Sequence, residues 1–352
     1  MPTDGADLRR RAALRFGFGT FVVFTLAQLF AWPIAYPAPV FCAVLLSAPS
    51  GSAEPLSIRQ GLVLLVGGAA GLYAGLAIVI LLHPYPVIAA LAIWLGLLGV
   101  FLYLLRGGVL LIGVFFLVGL LVLPVAGQHS PAAAVVAAGG AWTGLFVAVI
   151  TSWLVCALLP PPSSASAPAR LRASSPELWR QAFSMTLVLL PITLAHLVFG
   201  WGTILVLVYA GLMALSAGAA DGWKSGRKMI VANLFGGMGA ILAYELTVAA
   251  PALGFALMLV LASCLLFGDR VSSGTPSAGV WSSAFNGFAI LLGGALLSSG
   301  SDMDLKAIDR LVQIMIAAGW VAFAYTLIDT VRESSGLVVA PLAARQRELE
   351  SR

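Results

Sequence analysis

The sequence predicts an all-α integral membrane protein with about twelve transmembrane helices in two parallel six-helix repeats. Three observations predict this fold class: 61% of the 352 residues are apolar, 9% are charged, and the mean hydropathy is +1.02. Soluble proteins carry about 25% charged residues, because their surface must face water. The composition therefore excludes a soluble enzyme, a secreted module, a disordered chain and a nucleic-acid-binding protein, and the expected environment is a lipid bilayer.

Each predicted span rests on length. A helix needs about 20 mostly apolar residues to cross a hydrocarbon core about 30 Å thick. The second candidate is short and contains Pro37 and Pro39, which indicates a tilted or broken span, and the tenth and eleventh are near the lower limit. The twelve candidates are residues 14–32, 35–49, 61–82, 85–104, 107–125, 132–159, 178–199, 201–220, 229–249, 251–267, 281–299 and 305–330.

A stretch rich in Pro, Ser and Ala separates the sixth span from the seventh and is typical of a flexible linker. The predicted organisation is a first six-helix membrane half at 1–159, a cytoplasmic linker at 160–177, a second six-helix half at 178–330 and a cytoplasmic tail at 331–352. No stretch is long enough for a soluble domain, so any chemistry is expected inside the membrane or at its faces.

The basic residues predict the orientation. With the N-terminus inside, 17 of the 19 Lys and Arg residues fall on the cytoplasmic side, and only Lys306 and Arg310 fall outside. An excess of Lys and Arg marks cytoplasmic loops. Both termini are therefore predicted to be cytoplasmic.

The two halves have related patterns. Arg15 opens the first span and Arg180 opens the seventh, 165 residues later, while Arg106 and Arg270 mark equivalent inner turns 164 residues apart. Because six spans return the chain to the same face, the repeat is predicted to be parallel, about an axis along the membrane normal.

Glycines recur on the third span of each half. Small residues on one helix face let backbones approach closely, so the first interpretation is helix packing. The alternative is a helix at the pseudo-twofold centre that lines a path, and the two are compatible. The predicted packing glycines are Gly67, Gly71, Gly75, Gly236 and Gly239.

Several segments together suggest a family. The stretch from Leu14 to Gly51, then Arg59-Gln60-Gly61 with the glycine-rich helix, the repeat of this plan after Glu177, and Asp309-Arg310-Leu311 at the last span resemble the fusaric acid resistance and aromatic acid exporter family. The resemblance covers most of the chain in pattern. It implies a bacterial inner-membrane efflux protein that exports aromatic carboxylic acids and works with a periplasmic membrane fusion protein and an outer-membrane channel.

One departure from that family concerns its cytosolic parts. Many members carry large cytosolic domains after each membrane half, whereas here the linker and the tail are short. The chain resembles a compact, membrane-only branch. Fold is therefore transferred more securely than substrate or coupling mechanism.

Rare polar residues within the apolar spans are the candidates for a small-molecule site or for energy coupling, since charges in a bilayer are costly. Glu245 is interpreted either as a protonatable group facing the path or as a carboxylate at the outer rim. Arg310 either attracts an anionic substrate or belongs to an outer cluster of ion pairs. The candidates are Glu245, Asp309, Arg310, His196, Gln28 and Asn233.

The other three candidates, two amides and a histidine, have structural interpretations beside the functional ones. Gln28 and Asn233 are expected to hydrogen-bond between helices or to line a substrate route. His196 is expected near the outer end of span seven, as a core residue or a pore-lining one.

No catalytic motif is present, and neither a metal site nor a cofactor is expected. The cysteines Cys42, Cys156 and Cys264 lie far apart within apolar runs, without metal-ligand spacing. Without a phosphate-binding loop the chain is not expected to hydrolyse ATP, so an ion gradient is the default energy source. The leading hypothesis is a secondary efflux transporter rather than an enzyme. The alternatives are an assembly or scaffold subunit of the membrane and, third, a lipid-modifying membrane enzyme.

Overall fold

The computed structural model describes residues 5–47, 56–82, 84–160, 175–201, 203–217, 222–275, 277–297 and 303–334. Within these ranges every regular element is a helix and there is no strand. The helices are α1 Gly5–Phe30, α2 Ala38–Leu46, α3 Ile58–Leu81, α4 Pro86–Leu105, α5 Leu110–His129, α6 Pro131–Leu158, α7 Ser175–Phe199, α8 Ile204–Ala217, α9 Gly222–Ala249, α10 Leu253–Val271, α11 Ala278–Leu297 and α12 Met303–Ser334.

The lengths of these helices suit a membrane. Counted over the described residues, nine helices are long and apolar enough to cross one: α1, α3, α4, α5, α6, α7, α9, α10 and α11. The apolar stretch of α12, Met315–Ile328, is shorter. The prediction of an all-α, multi-pass membrane protein is confirmed.

One predicted span is much shorter in the structure than in the sequence prediction. The span at 35–49 becomes α2, with 9 residues, whereas the span at 201–220 corresponds to α8, whose described residues are Ile204–Ala217. At about 1.5 Å per residue α2 is about 14 Å long, roughly half of the hydrocarbon core. Proline lacks an amide hydrogen and fits only the first turn of a helix, so Pro37 and Pro39 fix where α2 begins.

The start of α8 has a different cause. Gly200 follows the end of α7 with a φ of +64°, a left-handed conformation that suits glycine and ends a helix. Trp201 and Thr203 lie outside the helices, and α8 begins at Ile204. The boundary predicted between the spans at 178–199 and 201–220 coincides with this break.

Helix α5 is the most enclosed of the nine long apolar helices, since 78% of the residues of its apolar segment are buried. It packs against α3, α4, α6, α7 and α8. Helix α11 packs against α9, α10, α1 and α2. Around these two helices lie two apolar cores, one centred on residues such as Phe16 and Phe115, the other on Leu97 and Leu207.

Glycines allow the closest helix crossings. A methyl group added to Gly75 of α3 would overlap the carbonyl oxygen of Gly119 of α5, and one added to Gly119 would overlap the carbonyl oxygen of Gly71. In the second half, a methyl group at Gly236 of α9 would overlap the carbonyl oxygen of Ala284 of α11. Backbone touches backbone at both crossings, as small residues permit in membrane helices.

The remaining predicted glycines are less closely packed. A methyl group at Gly67 would meet the side chain of Ile112, whose end is flexible, at 2.7 Å. At Gly239 the nearest atom would be a ring carbon of Phe288 at 3.6 Å, an ordinary van der Waals distance. Gly239 therefore has room for a side chain, unlike Gly75 and Gly236.

The two halves of the chain are packed into one another. Helix α1 lies along α10, where Gly17 meets Leu265, and α4 lies along α7, where the rings of Trp94 and Phe183 are 6.5 Å apart. Helix α2 contacts α11, and helix α8 contacts α5. We call this set of contacts between residues 5–160 and residues 175–334 the central interface.

Candidate functional site

The candidate site is the part of the central interface that surrounds α2 and α8. Each of these two helices lies against a long helix of the other half, α2 against α11 and α8 against α5. Short or interrupted hydrophobic segments in corresponding positions of two halves are the best structural pointer to a transporter's binding site. They matter because backbone groups freed at a broken helix can bind a solute.

The chain before α2 has an unusual backbone. Ala31 and Ile34, neither of them glycine, have φ values of +44° and +54°. The left-handed conformation costs an L-residue about 1–2 kcal/mol. Gly140 of α6 lies directly against this segment, because a methyl group there would overlap the carbonyl oxygen of Pro33. The strained backbone is thus supported by α6 on one side, although Ala31 itself is exposed, and it lies at the entrance to α2.

Two glutamine side chains bind backbone carbonyl groups across the central interface. Gln28 of α1 donates from Nε2 to the carbonyl oxygen of Gly293 in α11, at 3.2 Å. Gln128 of α5 donates from Nε2 to the carbonyl oxygen of Leu197 in α7. Both bonds lie near the ends of the helices involved, so they join the halves on one face of the bundle.

The opposite face holds an ionic contact between the halves. Arg9, in the second turn of α1, lies 3.2 Å from a carboxylate oxygen of Asp269, in the last turn of α10. Both side chains are about half exposed, and exposed pairs of this kind contribute at most about 1 kcal/mol. The contact is weak enough to open and close.

His196 is fully enclosed, with 1% of its surface exposed. Its Nδ1 lies 2.8 Å from the carbonyl oxygen of Ile192, which can only accept, so Nδ1 carries a hydrogen and donates. Its Nε2 lies 2.9 Å from the hydroxyl oxygen of Thr203, at the start of α8. The edge of its ring packs against Trp201. Both ring nitrogens are used within the protein, where they tie the end of α7 to the beginning of α8.

Asn233 is also buried, with 1% exposure, between α9 and α11. A methyl group at Gly287 of α11 would lie 2.9 Å from its Oδ1. Asn233 therefore occupies space that the glycine provides, within the crossing that contains Gly236.

The charged candidates lie at the surface of the bundle. Glu245 is exposed on α9, within the apolar segment Val231–Ala249. Asp309 is exposed on α12 and accepts a hydrogen bond of 2.7 Å from Nε2 of Gln313, one turn further on. The side chain of Arg310 falls outside the part of the chain that the structure describes. Among the candidates whose side chains are described, Gln28 is the one that bridges the halves.

Arg15 is the residue whose environment the sequence prediction missed. It is 2% exposed, within α1, whereas Arg180, 165 residues later, is exposed and lies 2.8 Å from Glu177. The sequence suggested equivalent roles for the two as markers of the inner face. The one sequence signal for the difference is that Arg15 follows Leu14, where the predicted first span already begins.

Metal-binding side chains do not gather in the described ranges, where no group of three or more His, Cys, Asp or Glu residues could hold a metal ion. Cys42, Cys156 and Cys264 are all buried and reduced. The polar contacts described at the central interface are hydrogen bonds from side-chain amides to backbone carbonyl groups and the ionic contact of Arg9 with Asp269.

Comparison with known proteins gives a family without an assigned activity. Residues 12–155, which extend from α1 into α6, are similar to the family described as "Protein of unknown function (DUF2955)". No curated protein and no solved structure matches the chain.

Proposed function

We propose that the chain is a secondary efflux transporter of the bacterial inner membrane, which exports small amphipathic or aromatic carboxylic acids with the proton gradient. The observation that carries this proposal is the short helix α2 together with the break between α7 and α8, since α2 packs against α11 and α8 against α5, in each case a long helix of the other half. Broken helices at a repeat interface are the usual place where secondary transporters bind their substrates.

The proposal includes twelve spans in two parallel six-helix repeats, and the helix pairings support it. The crossing of α3 with α5 corresponds to that of α9 with α11, since six is added to each helix number. In the same way α2 with α6 corresponds to α8 with α12, and α1 with α10 corresponds to α7 with α4. Gly71 and Gly236, which lie in the two equivalent crossings, are 165 residues apart, the same offset as Arg15 and Arg180.

Transport then requires the halves to move against each other. In this mechanism each half moves as a unit and opens the central interface alternately to the two sides of the membrane. The weak contacts at its ends, from Gln28 to Gly293 on one face and from Arg9 to Asp269 on the other, are the bonds that break and re-form.

Reconstitution of the purified full chain into proteoliposomes tests this function. Radiolabelled aromatic carboxylic acids are expected to move faster than their passive permeation in protein-free vesicles, and only when a pH gradient is imposed. Rates that equal those of protein-free vesicles both with and without the pH gradient would reject transport. The scaffold alternative would then be supported if native membranes yielded a stable complex containing the chain.

Glu245 is the first candidate for proton coupling, with Asp309 second. Acidic residues within an apolar span are rare and costly, by about 2.5–3.5 kcal/mol at mid-depth, which makes them the first candidates for a coupling role. Glu245→Gln keeps the shape and removes the change of charge. It is expected to abolish gradient-driven export and leave expression and substrate binding intact. Glu177→Gln, at an exposed ion pair in the first turn of α7, is the control. Export at the normal rate in Glu245→Gln would reject this role.

The proposed orientation places both termini in the cytoplasm, as the basic residues predict. Helix α4 tests it, because Tyr85 and Val109 flank its two ends and are 57% and 49% exposed. Single cysteines at these positions, in a background without Cys42, Cys156 and Cys264, should label differently. An impermeant thiol reagent added to intact cells should reach position 85 and not 109. Labelling of position 109 alone would show that the chain has the opposite orientation.

We also propose that export across two membranes requires partners, namely a periplasmic membrane fusion protein and an outer-membrane channel. On the proposed outer side, the connection between α3 and α4 is Leu82–Tyr85, and the one between α5 and α6 is Ser130 alone. Connections this short cannot bridge a periplasm, and the resemblance to the exporter family supports the same arrangement.

A further inference from the structure

A cavity of about 410 Å³ lies between α3, α4, α5 and α7. Its deep wall is formed by buried side chains, Ile78, Val79 and Ile93, which are at most 8% exposed. Its rim is open, since Val87 and Val198 are 80% and 75% exposed. Because α7 belongs to the second half, whatever fills this cavity touches both halves of the chain.

The sequence explains why the helices leave this space. Pro124, inside α5, has no amide hydrogen, so it removes one helical hydrogen bond at the cavity wall. Pro86 begins α4, and the next residues of α4 that line the cavity include Ala89 and Ala90. The small side chains of α4 leave volume unfilled on one wall, and Pro124 interrupts the helical hydrogen bonding of α5 on the other.

Of the described residues that line the cavity, Gln128 is the one whose side chain carries hydrogen-bonding atoms. Its Nε2 donates to the carbonyl oxygen of Leu197, which fixes the orientation of the amide because a carbonyl only accepts. Its Oε1 is buried and has no hydrogen-bond partner among the described residues. Leaving a buried acceptor without a partner is unfavourable, so a donor brought to this oxygen would add to binding.

We propose that this cavity binds a neutral small molecule with an apolar body and one hydrogen-bond donor, which the Gln128 amide oxygen accepts. The volume lies within the range of about 300–1,000 Å³ that ligand sites show. Among the described residues no charged side chain lines the wall, so an anion would lose its hydration without compensation from them. For a carboxylic acid the bound form is therefore the protonated one.

A lipid acyl chain is the competing occupant. It would fill the apolar part of the cavity but could not satisfy the amide oxygen, because it has no donor. The amide therefore favours the donor-bearing molecule. The physiological meaning of this site rests on the proposed transport function, whereas binding itself is measured without transport.

The test is equilibrium binding to the purified full-length chain by isothermal titration calorimetry, with titrations into protein-free micelles subtracted. The probes are 4-propylphenol and its methyl ether, which keeps the ring and lacks the donor. The phenol is expected to bind about tenfold more tightly, the effect of one net hydrogen bond. Gln128→Leu should remove that preference, and Ala90→Phe should abolish binding of both probes by filling the cavity.

Leu95→Phe, at an exposed position of the same helix outside the cavity lining, is the matched control and should bind both probes normally. If Ala90→Phe does not fold, as judged by gel filtration, Ala90→Leu replaces it. Equal binding of the phenol and the ether by the unmodified chain would overturn the proposal. Loss of binding when the protein is moved from detergent to phospholipid nanodiscs would also overturn the proposal, because a lipid acyl chain would then occupy the cavity. Binding without transport would reject the proposed function alone, and transport without binding would reject this site alone.

Discussion

Oxidation of a Tyr36→Cys/Gly293→Cys variant is expected to stop transport completely, and reduction to restore it. Tyr36 precedes α2 in the first half, and Gly293 lies in α11 of the second. A Cβ atom at 293 would lie 3.3 Å from that of Tyr36, just below the distance of about 3.5–4.5 Å that a disulfide requires. Shortening Tyr36 to cysteine frees the space for the small shift. The bond would lock the central interface at one end.

The measurement is transport in proteoliposomes before and after oxidation, and again after dithiothreitol, in a background without the three native cysteines. The matched control is Ala38→Cys/Gly144→Cys. Its Cβ atoms would be 3.1 Å apart, but both positions lie in the first half. It should form a disulfide and keep its transport rate. Normal transport by the fully crosslinked Tyr36/Gly293 pair would contradict movement between the halves.

The largest loss of stability is expected from Gly75→Ala. The added methyl group overlaps the carbonyl oxygen of Gly119, which is backbone and cannot rotate aside. Helices α3 and α5 must then separate along their whole crossing, and the packing of the first half loosens. We expect a cost at the upper end of the range for overpacked cores, about 1–3 kcal/mol. Thermal unfolding in detergent, followed by gel filtration, measures it as a lower midpoint and a smaller monodisperse fraction.

Gly99→Ala is the control for this substitution. No atom lies within 4 Å of the methyl group that it adds to α4. Alanine favours a helix over glycine by about 1 kcal/mol, so this variant should be as stable as the parent or slightly more. In the second half Gly236→Ala should destabilise and Gly239→Ala should have little effect. Equal midpoints for all four variants would refute the importance of the glycine crossings.

The sequence predicted the helices well because the bilayer imposes a strict demand for length and apolarity. Each predicted span corresponds to a helix, and Pro37 and Pro39 signalled that α2 is short. The predicted spans at 178–199 and 201–220 also placed a boundary before α8, but the sequence pattern did not give its cause. That helix begins where His196 of α7 contacts Thr203, a tertiary contact that a periodicity analysis does not contain.

The candidate site was less predictable, for a chemical reason. Sequence reasoning looked for rare charges, and the structure places Glu245 and Asp309 on the surface of the bundle. The central interface uses the backbone carbonyl groups of Gly293 and Leu197, which every residue type carries. Gln28 was predicted because it lies deep within a span. Gln128 was overlooked because it lies next to a turn, where polar residues are ordinary.

The packing of α1 along α10 has a consequence for biosynthesis. A ribosome releases α1 first, yet the surface around Gly17 finds Leu265 only after some 250 further residues have been made. Helix α4 waits in the same way for α7. During translation these faces must be shielded by lipid or by the insertion machinery, and a chain that terminates after the first half would display them permanently. The final fold is therefore reached by late intercalation of helices already in the membrane, rather than by joining two finished halves.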